Sequence, residues 1–310
     1  MRKNVYNLEF ESYVTELNIH GYRFYRVENY TDKVVHLHHL IRSFSEVSTQ
    51  PNCGSHQITG FVDIPENEDV PVFDWGFKGT ALDDILLLLS MFTLRDVFVV
   101  EETLTEGDLV ITADPRQYQW GGILRCSLPY VESAENVSKN RPFKYNCGFE
   151  QGICNIYSLI RTEEWRRKYN NGYFLLLLKN ALKRQILESS FIQCWTIWEH
   201  LFSVLNRSWL SKEQIIKISS DEKIAFILTE YALKMEISEA DRKKIKALSQ
   251  IRNRLVHYGR FPEKDSVTSD AQLFIRLTEF VVSKTLQLTP SNVLNTLERL
   301  EEYFNTGTST

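Results

Sequence analysis

The hydrophobic period changes near the middle of the chain, and this change constrains the fold more than any other feature. In the first half, aromatic and β-branched residues roughly alternate with polar ones, as in strands that bury one face. From Ile156 onward the apolar residues recur at helical spacing. The sequence therefore predicts an α+β protein in which an N-terminal β-rich domain precedes an all-α helical bundle.

The first half predicts strands interrupted by a single buried helix. The helix covers Ala81 to Thr93, with acidic residues in its first turn and Thr80 as a possible N-cap. Turn residues separate the candidate strands. These strands are predicted over residues 5–14, 21–27, 56–64, 97–102 and 107–112.

The second half predicts helices joined by short segments rich in Ser, Asp, Pro and Gly. They cover residues 173–187, 189–206, 220–235, 239–258, 269–287 and 290–304. Residues 133–150 lose periodicity and form a connection. We therefore divide the chain into a β-rich domain, 1–150, and a helical domain, 151–310.

Charge is distributed unevenly along the 310 residues, although the formal net charge is only -4. Residues 1–150 contain 13 basic and 22 acidic side chains, a net charge of -9. Residues 151–310 contain 23 basic and 18 acidic side chains, a net charge of +5. This asymmetry favours a sensor or recognition role for the acidic half, with an unknown ligand or trigger, and a polyanionic partner for the basic half.

Cysteine usage and hydropathy predict a cytoplasmic protein with no membrane partner. The five cysteines are an odd and sparse set, which fits free thiols in a reducing compartment. The N-terminus has no secretory h-region. The longest apolar runs, 85–89 and 173–178, are far shorter than the roughly 20 residues that a bilayer requires.

Residues 249–260 (SQIRNRLVHYGR) carry the side chains best suited to chemistry. On a helical wheel, Arg252 falls within the apolar stripe, where a guanidinium is costly unless it is paired or serves a site. Asn253 and His257 are four residues apart, so their side chains are neighbours at the edge of this stripe. Arginine can stabilise charge on phosphoryl oxygens, histidine can move a proton and asparagine can hold the imidazole, so the pattern indicates phosphodiester cleavage.

Basic side chains surround this motif, and Asp241 is the only acidic residue from 241 to 260. Such a run is typical of a surface that binds a polyanion. The alternative is a solvated basic face with Arg252 satisfied at a helix–helix contact. The candidate RNA-binding residues are Lys243, Lys244, Lys246, Arg254 and Arg260.

The sequence Arg252-Asn253-x-x-x-His257, near the end of a helix in a C-terminal bundle, resembles the R-x4-6-H motif of the HEPN superfamily. Phe191 to Leu205 resembles the helix of the Apea-like HEPN group, and Asp84 to Ser90 resembles part of the β-rich domain that precedes it. The resemblance covers residues 172–288, and the first half only faintly.

This resemblance implies a metal-independent endoribonuclease, often of prokaryotic antiviral defence (abortive infection) or toxin systems, with an active site completed by a homodimer. Arg252 and His257 would be catalytic with the help of Asn253. Glu199 lies beside the apolar stripe of its own helix, so it either pairs with Arg252 or orients His257, or is an ordinary surface carboxylate. Because some members are non-catalytic, the alternative function is a binding or regulatory module with ligand recognition by the N-terminal domain.

No cofactor and no metal are predicted, because the sequence lacks phosphate-cradling loops and metal-spaced ligand sets. The nearest metal tract, His36-Leu37-His38-His39, is interpreted as an exposed patch. The nucleophile is then expected to be the 2′-hydroxyl of RNA.

Overall fold

The structure is a computed structural model, and within its described residues the chain is α+β. An antiparallel five-stranded sheet is followed by a mostly helical region. The chain divides into two compact units, Met1–Thr162 and Glu163–Thr310. The described residues are 1–10, 14–35, 57–73, 79–100, 123–128, 148–182, 186–231, 233–234, 236–263 and 266–288.

The sheet of the first unit has the strand order β2-β3-β4-β1-β5, with every neighbouring pair antiparallel. A tight hairpin joins β2 to β3 through His20 and Gly21, which both have the positive φ that a type I′ turn requires. The strands are β1 (Arg2–Tyr6), β2 (Glu16–Ile19), β3 (Tyr22–Arg26), β4 (Ile58–Asp63) and β5 (Phe98–Val99).

One face of the sheet is buried. Leu17, Phe24 and Val62 are register partners on neighbouring strands, and each is at most 1% exposed. Helix α1 (Ala81–Thr93) is also buried along nearly its whole length. The predicted helix is thus confirmed with its predicted N-cap, because the Asp83 carboxylate accepts the backbone N–H of Thr80 at 2.7 Å.

The first unit also contains α2 (Ile123–Cys126) and α3 (Phe149–Arg161). The sequence boundary at residue 150 falls at the start of α3, whereas contacts group this helix with the sheet. The His20 ring at the hairpin turn lies 4.8 Å from the Tyr157 ring and 3.0 Å from Ser158 Oγ. The helical period therefore begins before the second unit does.

Three of the predicted strands contain the shorter β3, β4 and β5. Strand β1 begins three residues before the predicted strand 5–14 and overlaps it only at Val5 and Tyr6. Residues 107–112 lie outside the described residues. Strand β2 was not predicted. It has only four residues, too few for a clear alternation.

The second unit is built around one long central helix, α6, which packs against α5, α8, α9 and α10. The rings of Phe191, Trp195 and Trp198 on α6 lie 5.1–5.5 Å from Phe274 of α10. The helices are α4 (Glu163–Lys168), α5 (Phe174–Leu182), α6 (Leu187–Asn206), α7 (Lys212–Lys217), α8 (Ser220–Glu230), α9 (Glu239–Tyr258) and α10 (Ser266–Thr285).

The helix predicted over 239–258 is confirmed from end to end. The helix predicted to end at residue 235 ends at Glu230, the short helices α4 and α7 were not predicted, and residues 290–304 lie outside the described residues. Among the helices that the structure describes, none is long and apolar enough to cross a membrane.

Candidate functional site

Helix α9 carries the motif, and both of its ends are set by local sequence. At its start, Ser238 Oγ accepts the backbone N–H of Asp241 at 3.1 Å, and the Asp241 carboxylate accepts the N–H of Ser238 at 3.0 Å. At its end, Gly259 adopts φ 69° and donates its N–H to the carbonyl of Leu255 at 2.8 Å. These caps place residues 252–257 in the last two turns.

The carboxylate of Asp241 stabilises the start of this helix. Desolvation raises its pKa, but hydrogen bonds from the side chain and backbone of Ser238, with Lys234 3.4 Å away, outweigh this effect and hold the pKa below its usual value. The group therefore remains ionised at a helix N-terminus, where negative charge is favourable.

Buried side chains fix α9 to its neighbours. Ile245 and Ile251 are 3% exposed, and the Ser249 hydroxyl donates to the carboxylate of Asp221 on α8. Just beyond the helix, the Phe261 ring lies 6.0 Å from Phe191 of α6. The motif is thus presented by a rigid element rather than by a loop.

Arg252 is half-buried at the edge of the apolar stripe rather than inside it. The predicted stripe is too wide, because its member Val256 is 55% exposed. Arg252 Nη1 donates to Asn253 Oδ1 at 3.1 Å, and within the described chain Arg252 has no acidic partner. An amide leaves the positive charge uncompensated, so the guanidinium can still bind an anion.

Asn253 and His257 lie on the same exposed side of α9, as their spacing predicts. The predicted hydrogen bond between them is not formed, since Asn253 contacts Arg252 instead. The ring of His257 lies 6.4 Å from that of Tyr258, and within the described residues the imidazole makes no hydrogen bond. Both ring nitrogens are therefore accessible to a substrate.

Glu199 is not part of this site. Its Oε1 accepts hydrogen bonds from Trp195 Nε1 and Ser220 Oγ, each at 3.0 Å. Neither bond reaches Arg252 or His257. The proposed pairing is thus corrected, because this carboxylate ties α6 to the first turn of α8.

The candidate RNA-binding residues on α9 are all exposed, but they face different sides of the helix. At about 100° per residue, Lys246 lies on the same side as Asn253 and His257, whereas Lys244 and Arg252 each lie roughly 140° around the helix from His257. Two of the remaining cations already have exposed acidic partners. These ion pairs are Lys243–Glu239 at 3.2 Å and Arg260–Glu263 at 3.6 Å.

Tyr258 was not predicted as a site residue. Its side chain is 65% exposed, and the guanidinium of Arg254 lies 4.5 Å from the ring centroid. The sequence carried no signal for this exposure, because at about 100° per residue Tyr258 falls only about 20° from Ile251, at the edge of the apolar stripe. An exposed ring beside the imidazole offers a surface on which a base can stack.

Within the described ranges, no group of three His, Cys, Asp or Glu residues is placed to hold a metal ion. The tract His36-Leu37-His38-His39 lies outside those ranges. Comparison with protein-family models, with curated proteins and with solved structures gives no match. The resemblance to the HEPN superfamily therefore rests on the motif and on its place in the bundle.

Proposed function

We propose that the helical unit is a metal-independent endoribonuclease of HEPN type. The observation that carries this proposal is the accessible group of Arg252, Asn253 and His257 in the last two turns of α9. From residue 242 to residue 260 the chain has no acidic side chain that would repel a phosphate.

The side chains supply what RNA cleavage needs beyond the substrate itself. His257 takes the proton of a 2′-hydroxyl, whose oxygen attacks the adjacent phosphorus. The bond from phosphorus to the 5′-oxygen breaks, and the leaving oxygen takes up a proton. Arg252, oriented by Asn253, neutralises the charge that develops on the phosphoryl oxygens. The products are a 2′,3′-cyclic phosphate and a 5′-hydroxyl.

A single imidazole cannot act as base and acid in the same step, so we place the active site in a homodimer. Val256 (55% exposed) and Tyr258 (65%) lie about 100° to either side of His257 on the helix, and we place the contact with a second copy on the Val256 side. An isologous contact there would bring two His257 residues to one phosphate.

RNA is the partner that fits the charge of this helix. The side chains of Lys246 and Arg254 are exposed. The ion pairs Lys243–Glu239 and Arg260–Glu263 are also exposed and contribute little energy, so phosphates can replace the two glutamates. From the family resemblance, we place the activity in antiviral defence or a toxin system of the cytoplasm.

A non-catalytic binding module is the second candidate. It is favoured by the environment of His257, whose imidazole no described side chain orients, since Glu199 and Asn253 both bond elsewhere. In that case α9 would bind RNA without cleaving it, and the first unit would recognise a ligand.

Cleavage of labelled RNA by purified variants separates the two candidates. We expect Arg252→Ala and His257→Ala each to abolish cleavage while thermal unfolding remains as in the wild type. Because the two residues act on one phosphate, the double variant should be little worse than either single variant.

Lys217→Ala is the matched control, because it removes an exposed cation from α7, outside the motif and the candidate RNA-binding residues, and should remain active. In cells, overproduction of the wild type should arrest growth, and Arg252→Ala should relieve the arrest. Full cleavage by folded His257→Ala would contradict the ribonuclease and favour the binding module.

A further inference from the structure

A cavity of about 480 Å³ lies in the first unit, at the end of the β2–β3 hairpin opposite its turn. Its volume is within the range of small-molecule sites. The residues that matter here are Glu16, Tyr25, Arg26, Glu28, Tyr30 and Phe61.

An aromatic stack ends in this cavity. Tyr25 and Phe61 are register partners on β3 and β4, and their rings stack at 5.1 Å with an interplanar angle of 25°. The guanidinium of Arg2 lies 4.1 Å from the Phe61 centroid but 5.9 Å from that of Tyr25, and it is held by Asp63 at 2.7 Å. The stack is thus extended by Arg2 at its Phe61 end, while Tyr25, at the other end, lines the cavity. A planar ligand in the cavity would stack on the other face of the Tyr25 ring.

Carboxylates line the cavity beside this ring. Glu16 on the edge strand β2 is the register partner of Tyr25. Glu16 and Glu28 are exposed, and neither makes a hydrogen bond or ion pair within the described residues. Arg26 follows Tyr25 on β3, so its side chain lies on the opposite face of the strand, where the guanidinium is 4.3 Å from the buried Tyr30 ring. The cavity therefore combines an aromatic face with strong acceptors.

We propose that this cavity binds a guanine base. Guanine carries two adjacent N–H donors, at N1 and N2, which match one carboxylate. Its ring stacks on Tyr25. Adenine and cytosine offer a carboxylate only their amino group, and uracil only one ring N–H, so each forms fewer bonds here.

This site is independent of Arg252 and His257, and it assigns a ligand class to the acidic unit. Glu16 is the residue that reads the base, because it lies directly across from the ring on which the base stacks.

Titration calorimetry on the full-length His257→Ala protein tests the proposal with guanosine, GMP and the other three nucleosides. Guanosine and GMP should bind at least about tenfold more tightly than adenosine, cytidine or uridine. Glu16→Gln and Tyr25→Leu should each weaken guanosine binding roughly tenfold or more, since one loses the charged acceptor and the other the stacking face. Tyr25→Phe keeps the ring and should keep the affinity.

Glu66→Gln is the matched control, because it neutralises an exposed carboxylate that does not line the cavity. A short guanine-containing RNA identifies the source of the base. Binding of guanosine indicates that the ligand is a free nucleotide. Binding of the RNA but not of guanosine, if it is lost in Tyr25→Leu, indicates that the ligand is a guanine within a strand. Both outcomes support the site. Equal binding of all four nucleosides, no binding of either probe, or unchanged affinity in folded Glu16→Gln and Tyr25→Leu would overturn it. None of these outcomes depends on whether the protein cleaves RNA.

Discussion

The partner of an arginine decides whether its charge is available to a substrate, and the second unit contains both cases. On α10, Arg276 is 3% exposed and pairs with the buried carboxylate of Glu279. A buried guanidinium needs such a partner, because an isolated charge in the interior costs many kcal/mol. Arg252 is half-buried and bonds only an amide within the described chain. Its charge is therefore accessible, as a site that binds phosphate requires.

His200 is a second histidine whose environment sets its protonation. Burial lowers its pKa below the ordinary value of 6.5, and the nearby charge of Arg207 acts in the same direction, whereas the hydrogen bond with the Tyr169 backbone opposes them. The imidazole is therefore neutral in the folded core near neutral pH.

This lowered pKa predicts how stability depends on pH. As pH falls below 6.5, the unfolded chain binds a proton at His200 before the folded chain does. The stability that His200 contributes above that pH is thus lost as pH falls through its folded-state pKa. Urea unfolding between neutral pH and about pH 5 should show a shallower fall in the free energy of unfolding for His200→Phe. An identical slope in both proteins would show that His200 is not held neutral by the fold.

At the scale of the element, α9 is the helix that the sequence predicted best. Its bounds agree because the caps at Ser238 and Gly259 act through local contacts that do not depend on neighbouring helices. Which of its side chains are covered depends on neighbouring helices. Neither the exposure of Val256 nor the bonds of Glu199 to Trp195 and Ser220 can be read from one helical wheel.

The cap of α9 predicts a stability effect without a catalytic one. Ser238→Ala removes the acceptor for the Asp241 N–H and should lower the free energy of unfolding by about 1 kcal/mol. At temperatures where the variant is folded, cleavage should remain near the wild-type rate, because the motif lies at the other end of the helix. Gln250→Ala, an exposed change in mid-helix, is the control and should not destabilise. A Ser238→Ala protein as stable as the wild type would mean that the cap contributes nothing measurable.

At the scale of the whole molecule, the two halves differ in charge and in the sites that they offer. The acidic half contains the cavity for which we propose a planar, donor-rich ligand, and the basic half contains the helix that we propose binds phosphate. The sequence predicted this division of charge and fold class. It did not predict the cavity, because the stack of Arg2, Phe61 and Tyr25 depends on the pairing of strands distant in sequence.

Assembly gives a prediction at this scale. If Val256 contributes to a dimer contact beside His257, Val256→Lys should shift the protein to a monomer and abolish cleavage, since a charge would be buried in the interface. Sedimentation and activity should be measured on the same dilution series, and wild-type activity should fall as the dimer dissociates. A strictly monomeric wild type that still cleaves RNA at high dilution would contradict the shared active site.

The most direct test of the ribonuclease is the chemistry of the cleaved ends in the absence of metal. Purified protein, treated with EDTA, should be incubated with an RNA strand, with a DNA strand of the same sequence, and with RNA plus the Arg252→Ala variant. If the 2′-hydroxyl is the nucleophile and His257 its base, as we propose, the wild type should cleave only RNA, leaving 2′,3′-cyclic phosphate or 3′-phosphate ends. Cleavage that is lost on chelation and restored by Mg²⁺, or that leaves 3′-hydroxyl ends, would show that Arg252 and His257 do not form the site proposed.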